Sequence, residues 1–515
     1  MRLVLYRAGL SLLVTWSTLR IVLYGLVDRR PLIGFEAADL QRSMFYHYGL
    51  RGHLDYGFIE QIARDGFKPP LWYGGVPLLF SWRDTMSSLD FLWVNALALL
   101  LACWAVWLLG RKVGGERVAG LSVLCLCALP GLAGASTLIG VEMTQVAFFA
   151  WLILFLVDLH GDSPRPRVYL LFGLLLGLGM LAKWNLVVYL AAPIIWIVWS
   201  LGSRRRHSWQ PLLRFGAGLL LAILIFLAWL VPFADVAAIT QGALAEATYP
   251  SIWSRESLLF YPRMLLSRTL GIAAAPAAVL SLFGGFLYWR KGAEVDRNVP
   301  VFLLSVLALV SSLMLLSLFP HKELRYLQPL VPALAVLIAW GLSALPRSAG
   351  RAGRVAVVAA ISWMLSSTLV VPWTQRAETD PVATVPFEAL HFAPSTDDYG
   401  LEYTVLDASL SEPGFATVTY SLGGDLALPV GASLQWELYG RNEVPVVSRY
   451  NHETVTQDSC RYDLVRSSHF LTNRVLSDQE VDTITALGFV LRSQSSPRIE
   501  SFGVMQLWRR VGRWR

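Results

Sequence analysis

The sequence predicts a polytopic α-helical membrane protein of about 11 transmembrane helices, followed by a small C-terminal α/β domain. Three observations predict this class. Of the 515 residues, 55% are hydrophobic and only 15% charged, where soluble domains carry about 25%. Apolar stretches close to the roughly 20 residues that cross a bilayer recur through residues 1–372. Beyond them the composition turns polar, and residues 373–515 contain no segment that could span.

The spans are read at 9–27, 89–109, 118–136, 145–158, 168–182, 184–201, 213–232, 271–289, 299–319, 326–345 and 353–372. Arg2 and Arg7 precede the first, as in a signal peptide. No small-residue cleavage site follows, so it is read as an uncleaved helix. Arg20 inside it either snorkels or faces a polar interior.

Short basic loops alternate with longer or less basic ones. "RKVGGER" (111–117), "HGDSPRPR" (160–167), "SRRRHS" (203–208), "WRKGAEVDR" (289–297) and "PRSAGRAGR" (346–354) fall on one side. Positive loops stay in the cytoplasm. The expected topology is a multi-pass protein of the cytoplasmic (inner) membrane, with a cytoplasmic N-terminus and an extracytoplasmic tail. The net charge of +7 sits largely in these loops, so it orients the chain and gives no reason to expect nucleic acid.

In the tail, "EYTVLDAS", "FATVTYSLG", "SLQWELYG", "PVVSRYN" and "RYDLVRS" read as strands, "SDQEVDTITALG" as a helix capped by Ser477 and ended by Gly488, and "FVLRSQSS" and "FGVMQLWRRV" as closing strands. Cys103, Cys125 and Cys127 lie in apolar sequence and Cys460 in polar sequence. They form neither a disulfide framework nor a zinc spacing.

Chemistry in such a chain should appear as charge held at the outer ends of the spans or in the outer loops. The first outer loop, 28–88, is long enough to be functional. Within it "EAADLQRSMFYHYGL" has helical spacing that places Glu36 and Asp39 one turn apart. "FKPPLWYGG" reads as a rigid turn that sets Lys68 at the membrane surface, where it can meet a phosphate. Glu142 and Lys183 stand at outer helix ends; a lysine there often only snorkels, whereas a glutamate has less reason to be present.

"FPHKELRYLQPLVP" (319–332) places His321, Lys322, Glu323, Arg325 and Tyr326 between two apolar stretches. A helix beginning near Pro320 would add its N-terminal dipole to these cations and complete an anion site. Residues 233–270 form another aromatic outer loop that could lie in the interface.

"HKELRY" is similar to the His-Lys-Glu-x-Arg-(Phe/Tyr) signature of polyprenyl- and dolichyl-phosphate-sugar-dependent membrane mannosyltransferases. The order of Glu36, Lys68–Leu71, Glu142, Lys183 and "RYLQPLVPAL" resembles bacterial relatives of protein O-mannosyltransferases and of the aminoarabinose lipid A transferase, all of the GT-C fold. The likeness covers about residues 10–345 and leaves the tail aside. "FEAAD" departs from the family's Asp-Glu pair, so Glu36 and Asp39 both remain candidates for the base, Glu36 first.

The resemblance implies a transmembrane glycosyltransferase domain over 1–372 and an extracytoplasmic domain over 373–515. It implies inverting transfer of a sugar from a polyprenyl-phosphate carrier to a lipid, glycan or protein acceptor. Glu36 or Asp39 would be the catalytic base. Lys68, Glu142, Lys183, His321, Lys322, Glu323, Arg325 and Tyr326 would bind substrate. No metal ligand set is recognisable and no cofactor is assigned, with a divalent metal left open. A lipid-carrier transporter or flippase, or a membrane sensor with an external binding domain, is the alternative. A transporter predicts inverted repeats, which the sequence lacks.

Overall fold

A computed structural model of the protein describes residues 2–27, 34–52, 57–66, 68–161, 164–203, 209–236, 251–270, 299–344, 417–422, 446–451, 469–472, 476–487, 489–495 and 505–510. The helices are α1 (Arg2–Val27), α2 (Gly34–Arg51), α3 (Phe58–Arg64), α4 (Pro70–Leu79), α5 (Ser88–Ala128), α6 (Pro130–Thr137), α7 (Glu142–His160), α8 (Pro166–Ala182), α9 (Leu186–Ser203), α10 (Gln210–Phe233), α11 (Arg255–Met264), α12 (Val299–Ser317), α13 (Val331–Ala344) and α14 (Asp478–Ala486). A π turn (Leu265–Thr269) follows α11, and a 3-10 helix (Leu324–Leu330) leads into α13.

Seven helices among the described residues are long and apolar enough to cross a membrane. Nine of the eleven expected spans coincide with helices; 271–289 and 353–372 lie outside the described residues. Exposed Leu97, Trp104, Ile195, Trp199, Leu220 and Leu224 ring the bundle. In water such a surface would be costly; against lipid tails it is not.

α5 holds two expected spans. Gly115, at φ 71°, breaks the helix after the first, a conformation open to glycine at little steric cost. The chain then turns back on itself. A Cβ on Gly110 would meet the Ala119 backbone at 2.6 Å, and the Cys103 and Cys127 sulfurs lie 3.9 Å apart. The hairpin therefore closes in register through small side chains, as membrane helices do. Pro130 ends the second limb, because the residue before a proline is driven out of the helical region: Leu129 is extended, and α6 starts at the proline.

α8 and α10 meet through glycine as well, since a Cβ on Gly173 would sit 2.1 Å from the Gly218 carbonyl oxygen. Arg20 resolves towards the interior. It is buried, and its Nη2 donates to the Ala133 carbonyl and to Ser136 Oγ, each at 2.8 Å. Asn95 donates to the carbonyls of Ser136 at 3.2 Å and Leu138 at 2.7 Å. Together they fix the short connection that delivers the chain to Glu142.

The first outer loop is largely helical, being built from α2, α3 and α4. "FKPPLWYGG" is not a free-standing turn: Pro69 is extended and Pro70 opens α4. Proline suits the first helical position because the missing N–H has no partner there. In the tail, β1 (Thr417–Leu422), β2 (Val446–Asn451), β3 (His469–Thr472), β4 (Phe489–Ser495) and β5 (Met505–Arg510) form a sheet of order β2-β1-β3-β5-β4. β1 runs parallel to β2 and β3, and β5 antiparallel to β3 and β4. β3 lies just past the strand expected at 461–467, which, like those expected at 402–409 and 433–440, is outside the described residues. Ser477 caps α14 reciprocally with Glu480, and Leu476, Ile484, Phe489 and Trp508 form the local core.

Candidate active site

The site is assembled from helix ends. Glu142 is the first residue of α7 and is 1% exposed. Lys183 ends α8 in an extended conformation, where the chain turns into α9. A polar chain beneath them holds three elements together. Gln145 Nε2 donates to Asn185 Oδ1 at 2.7 Å, Asn185 Nδ2 to the Tyr189 hydroxyl at 3.4 Å, and that hydroxyl to the Tyr326 carbonyl at 2.9 Å. The first turn of α7, the α8–α9 turn and the 3-10 helix are thereby tied to one another.

On this support, Lys183 Nζ donates to Glu142 Oε1 at 2.9 Å, and Arg325 Nη1 stands 3.6 Å from the same oxygen. Arg325 grips Glu323 with its fork, Nε to Oε2 at 2.5 Å and Nη2 to Oε1 at 2.6 Å. His321 Nε2 is 3.1 Å from Glu323 Oε1. The Tyr326 ring lies 4.9 Å from Lys183 Nζ and 6.0 Å from the His321 ring. Burial works against the charge of Glu323, but Arg325 and His321 outweigh it and hold its carboxyl well below the usual range.

The outer loop closes over this array. Asp39, on α2, is 4% exposed, and among the described residues it accepts no hydrogen bond. Burial raises its carboxyl above the usual value, while Lys68, Arg42 and Arg325 pull it back down. Lys68, just ahead of α4, is lowered to about 8, first by burial and further by Arg325, Arg42 and Lys183, with Asp39 opposing. Asp39 and Lys68 therefore share one electrostatic neighbourhood with Arg325, in which Glu142 also acts on Asp39 and Lys183 on Lys68.

Most of the residues singled out from sequence gather here, namely Asp39, Lys68, Glu142, Lys183, His321, Glu323, Arg325 and Tyr326. The side chain of Glu36 lies outside the described residues. Lys322 turns elsewhere. Its Nζ donates to the carbonyls of Leu316 at 3.2 Å and Ser317 at 2.5 Å, capping α12, and lies 5.5 Å from the Tyr261 ring centroid. Burial lowers it to about 8.

The expected helix start at Pro320 is corrected. The 3-10 helix begins at Leu324 after an extended Glu323, because Pro329 and Pro332 shorten the regular helix to Val331 onwards. The turn is therefore followed by a short 3-10 helix and not by an α-helix starting at Pro320, and its cations are the side chains of Lys322 and Arg325.

Sequence reading did not single out Arg42, which lies 3.6 Å from Asp39, or Asn185, Gln145 and Tyr189. Arg42 was signalled by its position three residues after Asp39 on a helix. The neutral amides carry no comparable signal. Among the described residues no three His, Cys, Asp or Glu side chains form a metal-binding group.

Comparison with known proteins agrees with this architecture. A family profile described as Dolichyl-phosphate-mannose-protein mannosyltransferase matches residues 79–231, which include Glu142 and Lys183. ArnT from Cupriavidus metallidurans bound to undecaprenyl phosphate superposes with a TM-score of 0.58 at 15% identity, over 98% of this chain and 97% of that one. The apo form gives 0.60 at 14% identity, over 97% and 98%.

The chain has the GT-C fold of these membrane proteins. The archaeal oligosaccharyltransferase AglB from Archaeoglobus fulgidus, in complex with an inhibitory peptide and a dolichol-phosphate, gives a TM-score of 0.49 at 11% identity, over 91% of this chain and 69% of that one. No curated protein matches by sequence. The fold that the sequence resemblance implied holds.

Proposed function

We propose that this glycosyltransferase moves a sugar from a polyprenyl-phosphate carrier to an acceptor at the outer face of the cytoplasmic membrane, with inversion. The observation that carries the reading is the convergence of a buried carboxylate, Asp39 in the second turn of α2, with Lys68, Lys183 and Arg325 at the ends of three other elements. The departing group is a lipid phosphate, which needs positive charge rather than a strong acid. The related ArnT fold, which holds undecaprenyl phosphate, supports a lipid phosphate as the donor's carrier here.

Asp39 acts as general base, ahead of Glu36. It takes the proton of the acceptor hydroxyl as that oxygen attacks the anomeric carbon from the face opposite the phosphate. A carboxyl raised by burial accepts a proton more readily than an exposed one. Lys68 and Arg325 face the departing phosphate, and Glu142 holds Lys183 and Arg325 in place. Residues 1–372 form the transferase domain, and the tail, 373–515, lies outside the membrane.

The test follows release of polyprenyl phosphate by detergent-purified protein given radiolabelled polyprenyl-phosphate sugars and a membrane extract as acceptor. Asp39→Asn should abolish release while donor binding persists, and Glu36→Gln should leave release measurable. Saturable binding without release from any donor would favour a carrier or sensor.

A further inference from the structure

Asp39 owes its readiness to a neighbour that is held away from it. Arg42 lies one turn along α2, and its Nη1 stands 3.6 Å from Asp39 Oδ1. That is beyond a hydrogen bond but close enough for charge to act. The same guanidinium gives its Nε to Asp65 Oδ1 at 2.6 Å, and its Cζ lies 5.2 Å from the centroid of the Tyr73 ring. Asp65 closes the α3 end, and its carbonyl accepts from the Lys68 N–H at 3.1 Å. The segment that carries Lys68 thus also carries the anchor of Arg42.

The chemistry makes this placement consequential. An arginine beside a carboxylate normally closes on it with two parallel hydrogen bonds. Such a pair occupies the lone pairs a base must offer and makes the carboxylate a weaker proton acceptor. With Nε committed to Asp65 and Cζ over the Tyr73 ring, Nη1 approaches Asp39 only at a distance.

We infer that Arg42 and Asp65 are a positioning pair for Asp39, with Asp65 drawing the arginine off so that the Asp39 oxygens stay open to the acceptor hydroxyl. The inference rests on Asp39 being the base. Among the described residues, the other charged or titratable groups acting on Asp39 are Lys68 ahead of α4, Tyr73 on α4, Arg325 of the 3-10 helix and Glu142 of α7. They stay constant across the variants below.

The experiment measures the pH dependence of kcat/KM and of donor Kd for the parent, Asp65→Asn, Asp65→Glu and Arg42→Gln. Each protein is first checked by its melting midpoint and monodisperse elution. Asp65→Asn frees the arginine to close on Asp39. The acid limb should move to lower pH by about one unit, with kcat down at least tenfold and donor Kd within twofold. Arg42→Gln removes the positive charge, so the acid limb should move to higher pH. Asp65→Glu should restore the parent limb.

Opposite displacements from two neighbours are not what a shared loss of folding produces. Limbs that stay put, or move together, overturn the pair. The same displacements can be read without turnover, from the carboxyl stretch of 13C-aspartate-labelled protein, with Asp39→Asn as the blank. A parent without turnover whose Asp39 stretch still titrates in opposite directions in the two variants keeps the pair and removes the transferase reading. A stretch that does not respond removes the pair whatever the activity.

Discussion

Lys68→Met should weaken binding of polyprenyl phosphate without unfolding the protein. Losing one charge-assisted hydrogen bond to a phosphate costs about 1.5–3 kcal/mol, which is roughly 10- to 140-fold in Kd. The pH dependence is the sharper readout. Lys68 is lowered to about 8, so its charged fraction should fall roughly tenfold per unit above that value, and affinity with it. Lys68→Arg keeps the charge at every accessible pH and should remove the alkaline loss.

Lys322 is also lowered to about 8, but its ammonium faces the α12 carbonyls, so Lys322→Arg should leave that loss in place. Folding stability runs the other way. The folded value of Lys68 lies below its unfolded 10.5, so the cost of the buried charge is fully present below about pH 8. It is relieved as pH climbs from 8 to 10.5, because the unfolded chain then holds the proton more tightly. The assay is a polyprenyl-phosphate titration in detergent from pH 6 to 9.5, with thermal melts on the same samples. An alkaline loss that survives in Lys68→Arg and vanishes in Lys322→Arg would refute the assignment.

Two further perturbations test the frame around the site. Glu142→Gln leaves Lys183 and Arg325 facing a neutral amide; breaking a buried pair costs about 3–5 kcal/mol, so the melting midpoint should fall and release should be lost, and an unchanged midpoint would contradict the pairing. A Cβ on Gly218 would lie 2.5 Å from the Tyr169 carbonyl oxygen, so Gly218→Ala should separate α8 from α10 at a cost of about 1–3 kcal/mol, and release should weaken because α8 ends at Lys183; full stability would show that the helices do not meet there.

The spans were legible because apolar length is nearly all that a bilayer demands of a helix. Boundaries were less so wherever proline intervened. Pro130 divides 118–136 between α5 and α6, and Pro329 and Pro332 turn the start of 326–345 into a 3-10 helix. Charges were legible as candidates because each is out of place in apolar sequence, which is why Glu142, Lys183 and Arg325 stood out.

Direction was not legible. Lys322 and Arg325 sit three apart in one short motif, yet one caps α12 and the other joins Glu142. Which way each points is decided by where α12 ends and how Tyr261 packs beneath the turn, and both depend on chain remote in sequence. The network from Gln145 to Tyr326 was invisible for the same reason: its members are neutral, and only the packing of α7 against α9 makes them neighbours.

The polar contact between Glu142, Lys183 and Arg325 has a consequence for biogenesis. Its members are 41 and 142 residues apart along the chain, respectively Glu142 to Lys183 and Lys183 to Arg325. A ribosome delivering this polypeptide emits the glutamate and the lysine long before the arginine. The pair can form once α8 has entered the membrane, which neutralises two charges during insertion, when each alone is most costly. The arginine arrives last, bringing the His321–Glu323 turn with it. Until then the cluster lacks its arginine, and on the proposed reading the phosphate site is incomplete until residue 325 of 515 has been made.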